Sequence, residues 1–126
     1  MLVLSSAAFF GARRRFFCVD FTRPHRGNTT ATYVTLINFT EHGARNIKDT
    51  IKRTDAAKQA SAAAGVTIKD VFWTQGQYDI VIISESNDEI AANAVVLNAV
   101  KAGNVRTQVM RAFTAAEMQK ILDKIP

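Results

Sequence analysis

Between Trp73 and Ile83 the chain reads Trp-Thr-Gln-Gly-Gln-Tyr-Asp-Ile-Val-Ile-Ile, two strand-like runs that meet at a glycine. A glycine at that point permits the positive φ of a tight hairpin, so a two-residue Gly-Gln connection is predicted between paired antiparallel strands. The run from Ile80 to Ile83 is apolar at consecutive positions, which requires cover on both faces of the strand. Few folds of this size meet that demand within one chain.

The flanking segments follow the same periodicities. Thr32 to Phe39 is β-branched and aromatic and reads as a first strand, with Tyr33, Thr35, Ile37 and Phe39 on one face and Val34 and Leu36 on the other. One long helix is predicted from Ala44 to Ala64, ended by Gly65, its buried face starting with Ile47 and Ile51 and continuing through alanines at 56, 57, 60, 63 and 64. Val66–Gln75 and Tyr78–Glu85 form the hairpin. The alternation puts Ile68 and Phe72 opposite Val71 and Trp73, and Tyr78, Ile80 and Ile82 opposite Val81 and Ile83. Asp88 to Lys101 reads as a second helix with an N-cap in Ser86-Asn87-Asp88, and Val105 to Phe113 as a fourth strand. Thr114 and Glu117 have capping-box spacing before a short terminal helix.

The order β-α-β-β-α-β describes an α+β, ferredoxin-like antiparallel sheet with two helices on one face and an extra C-terminal helix. Two helices cover one face only. The other carries large apolar side chains, and such a face marks an interface on a soluble protein. A homodimer, or a higher homo-oligomer, formed through this open sheet face is therefore expected, unless the leader or the terminal helix covers it.

With 126 residues there is room for one such domain. Net charge is +5, but Arg13, Arg14, Arg15, Arg23 and Arg26 against Asp20 supply most of it, leaving the rest nearly neutral. Nucleic acid is accordingly not expected as a partner. The apolar run near the N-terminus falls short of the ~20 residues of a membrane span, and its positive charge follows it, unlike a secretory signal. Residues 1–30 read as a disordered extension, an upstream-start artefact or an organelle-targeting leader, and residues 31–126 as the folded domain. A single cysteine, Cys18, excludes an internal disulfide and suits a cytoplasmic location.

The tetrad Gly76-Gln77-Tyr78-Asp79 resembles the signature of the GYD-domain family. The likeness runs from Tyr33 to Glu117 and takes in Thr40 and Gly43, Arg53, Thr74, Arg106-Thr107 and Arg111-Ala112-Phe113. The resemblance implies a dimeric α+β barrel and transfers no established reaction.

Tyr78, Asp79, Arg53, Arg111 and Trp73 are the ligand-binding candidates for a small molecule; no catalytic set is identifiable. Tyr78 and Asp79 could stand at a pocket mouth, though strand neighbours point to opposite faces and cannot easily share a site. The structural reading makes Asp79 an acceptor for backbone N–H or arginine hydrogen bonds at the hairpin end and Tyr78 a packed ring with a satisfied hydroxyl. Arg53, Arg106 and Arg111 carry forks suited to carboxylates, with Arg106 and Arg111 on opposite faces of their strand. Trp73 reads equally as core. His42, without a second ligand nearby, defines no metal site, and no haem ligand, phosphate loop or Ser-His-Asp signature occurs, so no cofactor is expected. The function this suggests is a homo-oligomeric ligand-binding or regulatory module; the alternative is a cofactor-free enzyme on small organic acids or aromatics.

Overall fold

A computed structural model describes residues 29–126. The N-terminal segment, with Cys18 and its arginines, on which the targeting-leader and disordered-extension readings fall, lies outside the described residues. The elements are β1 (Ala31–Phe39), α1 (Glu41–Arg45), a 3-10 turn (Ile47–Asp49), α2 (Thr50–Ala63), β2 (Val66–Trp73), β3 (Ile80–Ser86), α3 (Glu89–Lys101), β4 (Val105–Ala112) and α4 (Ala115–Leu122). The four strands form one antiparallel sheet in the order β2-β3-β1-β4, as the ferredoxin-like pattern requires.

α2 and α3 pack on one face of this sheet. Beneath them Tyr33, Val66 and Ala92 form the buried cluster, joined by Ala31, Ala91, Val95 and Val109. Ile37 and Ile80 extend it toward the other end of the central strands. Ser61 is fully buried on α2 and donates its hydroxyl to the Ala57 carbonyl at 2.6 Å, so burial leaves no polar atom unsatisfied there.

Four sequence expectations need correction. The long helix from Ala44 to Ala64 is broken. Thr40 caps a separate α1 by accepting from Gly43 N–H at 3.2 Å, and its own N–H and hydroxyl donate to the Asn104 and Gly103 carbonyls. α1 is thereby pinned against the loop before β4, so closely that a Cβ on Gly43 would lie 2.0 Å from the Asn104 oxygen. α2 starts afresh after the 3-10 turn.

The buried side of α2 is also different from the one predicted. Ile47 and Ile51 are exposed, Ile51 by 62%, while Thr54, Ala57 and Ser61 turn inward. The close approach of helix and sheet favours these small side chains over isoleucine.

The hairpin connection is wider than two residues, since β2 ends at Trp73 and β3 begins at Ile80. Finally, β2 carries a bulge between Ile68 and Asp70. The extra residue resets the alternation, so Val66, Ile68, Val71 and Trp73 share the helix side with Ile80, Ile82 and Ser84, while Asp70 and Phe72 join Val81 and Ile83 on the open side.

Candidate functional site

The turn from Thr74 to Asp79 is built by its own polar groups. Gly76 adopts φ of +139°, a conformation that favours glycine. The Thr74 N–H donates to the Asp79 carbonyl at 2.8 Å, and the Thr74 hydroxyl to the Tyr78 carbonyl at 2.6 Å. Asp79 then stitches the turn to β1: its N–H donates to the Ile37 carbonyl at 2.8 Å, and its Oδ2 accepts from the Phe39 N–H at 2.8 Å. The carboxylate stands in for β3, whose pairing with β1 ends at Ile37.

Because Tyr78 lies in this turn, strand alternation does not assign its face. It was expected on the side of Ile80 and Ile82, opposite Val81 and Ile83, and those two isoleucines face the helices. Instead its hydroxyl donates to Gln108 Oε1 at 3.1 Å. Gln108 pairs with Leu36, which pairs with Val81, and all three belong to the open face. Reaching β4 from the end of β3 takes the Tyr78 side chain across β1, over the side of the sheet away from α2 and α3.

The other candidates are separate from it and from each other. Trp73 donates its indole N–H to Thr50 Oγ1 at 3.1 Å, tying β2 to the start of α2. Arg53 donates to the carbonyls of Asn46 at 3.0 Å and Gly43 at 3.4 Å, closing the C-terminal end of α1. Arg111, at the opposite end of β1 from Asp79, donates to the Thr32 and Ala112 carbonyls and pairs with Glu117 at 3.2 Å. Its guanidinium lies 4.6 Å from the Phe113 ring centre and 5.8 Å from that of Tyr33.

Two groups at that end have shifted proton affinities. The Thr114 backbone N–H, with Arg111 second, holds the Glu117 carboxyl below its usual value. Burial, reinforced by Glu89, pushes the Tyr33 phenol above its ordinary value, with Arg111 opposing. Tyr33 is a core residue here, covered by α3. A depression of about 450 Å3 lies on the outer flank of α3, lined by Glu89, Ile90, Asn93, Ala94 and Leu97, and so does not lie between sheet and helices. Among the described residues no three His, Cys, Asp or Glu side chains cluster as a metal site would require.

What the structure does bring together is Tyr78 and Gln108 at one end of the open face, with Asn38 and Arg106 in the next cross-strand row. Sequence reasoning missed Gln108 and Asn38. The signal available for them was the two-residue spacing of Arg106, Gln108 and Met110, which places all three on one side of β4.

Comparison with known proteins gives the fold a context. The family model described as GYD domain matches residues 33–122. A crystal structure of MtbAldR superposes with a TM-score of 0.53 at 13% identity, over 67% of this chain and 52% of that one. This chain thus spans about half the length of MtbAldR, and the likeness is one of fold. The de novo designed protein Foldit4 aligns with a TM-score of 0.41 at 14% identity, covering 68% of this chain and 97% of its own. No curated protein matches the sequence. The signature turn, the β2-β3-β1-β4 sheet and the family match lead to one conclusion: the chain belongs to the GYD-domain family.

Proposed function

We propose that this GYD-domain protein is a cytoplasmic, homo-oligomeric ligand-binding or regulatory module whose subunits associate through the open face of the sheet. The observation that carries this reading is the composition of that face. Val34, Leu36, Phe72, Val81, Ile83 and Met110 share it, and Phe72 is 53% and Met110 40% exposed. α2 and α3 lie on the other side. α4 keeps Met118, Ile121 and Leu122 exposed, so its apolar side chains do not serve as a cover.

Strand spacing of ~4.8 Å and a rise of ~3.3 Å per residue give a four-stranded face roughly 500 Å2 of flat area. Its middle rows form an apolar patch of a few hundred Å2 bordered by polar rows, and the whole face approaches the ~800 Å2 per partner of a stable interface. Two such faces packed about a two-fold axis would remove both from water. The dispersal of Tyr78, Asp79, Arg53, Arg111 and Trp73 supports a module over a cofactor-free enzyme, which needs its titratable groups to converge. Sizing chromatography with light scattering on the full chain tests association. A dimer or larger species at micromolar concentration is expected; a strict monomer overturns the reading.

No helix among the described residues is long and apolar enough to cross a membrane.

A further inference from the structure

The open face is apolar across its middle rows and polar at both ends, with Thr32, Thr67 and Glu85 at one and Asn38, Arg106 and Gln108 at the other. At the second end β4 presents Arg106 and Gln108 in register with Asn38 and Leu36, and the Tyr78 hydroxyl is anchored on Gln108 Oε1 at 3.1 Å. Gln108 therefore keeps its amide N–H groups for another partner. The described residues include Arg45, Arg53, Arg106 and Arg111, and three of them are engaged. Arg45 pairs with Glu41, Arg53 with main-chain carbonyls, and Arg111 with Glu117 and main-chain carbonyls. Arg106 forms no ion pair or side-chain hydrogen bond among the described residues. Asp79, in the neighbouring turn, has its Oδ2 on the Phe39 N–H and belongs to none of those ion pairs.

This end is consequently rich in donors. The guanidinium fork matches the two oxygens of a carboxylate, and the Gln108 and Asn38 amides add directional donors beside it. Leu36, Val81 and Phe72 continue from it as an apolar floor. If a second subunit covers the face, as the proposed function holds, Arg106 loses water and requires an anion in its place.

We propose that this end of the open face binds a small monocarboxylic acid with an apolar body, the carboxylate on Arg106 beside Gln108 and Asn38 and the body along Leu36 and Val81. The proposal rests on the module reading and names its ligand class.

The test uses the full chain, with decanoate as probe and decanol as the uncharged control, both in monomeric solution, followed by calorimetry. Saturable decanoate binding is expected, at least ten-fold tighter than decanol. Arg106→Gln should weaken decanoate ten-fold or more and leave decanol unchanged. Arg106→Lys, which keeps the charge without the fork, should fall between. Circular dichroism checks that each variant is folded. Absence of saturable binding, equal affinity for decanol, or an indifferent Arg106→Gln overturns the proposal. So does a result in which Arg106→Gln and Asp70→Asn each dissociate the oligomer without changing decanoate affinity, because the guanidinium then belongs to a partner's carboxylate. Sizing of the same samples separates the two readings: a monomer that still binds decanoate through Arg106 supports this site and overturns the oligomer alone.

Discussion

Asp79 acts as a main-chain substitute. Its carboxylate takes the Phe39 N–H just where β1 outruns its neighbour, and its own backbone closes bonds to Thr74 and Ile37. Removing the acceptor leaves a part-buried N–H without a partner, so Asp79→Ala should cost about 1–3 kcal/mol in urea unfolding. Asp79→Asn retains an acceptor oxygen and should lose roughly half of that or less; an equal loss would mean that charge, and not the hydrogen bond, matters. Tyr33 offers a second measurement. Its phenol is raised above 10.0, chiefly by burial. Below about pH 10 folded and unfolded chains are both protonated at this group and stability is intact; above it the unfolded phenol ionises first, and stability falls as pH rises through the folded value. Tyr33→Phe should flatten the decline in unfolding midpoint between about pH 9 and 11. Asp79 was readable in the sequence as a backbone acceptor, because acids beside turns do this. Tyr78 was misplaced, because alternation holds only inside a strand and the turn extends through Asp79.

Among the helices, α3 and α4 were legible from their side-chain caps, whereas α1, capped by Thr40, and α2, with no side-chain cap, were merged into one. Asp88 accepts from the Ile90 and Ala91 N–H groups and starts α3, and Thr114 with Glu117 forms the full capping box of α4, both as the residue types imply. α2 has no side-chain cap, and its alanines give little contrast between faces, so neither its start nor its inward side could be read from periodicity. α4 is held mainly at its first turn, by the capping box and the Arg111–Glu117 pair. The Glu117 carboxyl is depressed below its ordinary value of 4.5, so the contribution is complete above that value and disappears as pH falls through the lower, folded one. Amide protection over residues 115–122, measured against intrinsic exchange at each pH, should drop selectively in acid, and Thr114→Ala should produce the same loss of protection at neutral pH. Unchanged protection in both would mean that α4 is held by contacts other than its cap.

The strand pattern was legible in order and pairing. Its error lay in β2, where regular alternation was assumed across a bulge. The helix-side apolar positions of β2 are spaced 66, 68, 71, 73, and the single three-residue step is the trace the bulge leaves in the sequence. With the phase corrected, Phe72 joins the open face, and under the proposed association Met110→Glu, at an exposed position on the same face, is expected to yield a folded monomer by light scattering with an unchanged circular dichroism spectrum. The bulge has another effect, on how far molecules of this kind can grow. β2 is an outer strand, and a fibril extends by adding strands to such a rim. The interruption at Lys69 bends that rim, leaving an incoming strand no continuous template. Deleting Lys69 straightens the rim without changing which residues face which side. The expected product still folds but turns cloudy on standing, because its outer strand can now take on the strand of another chain.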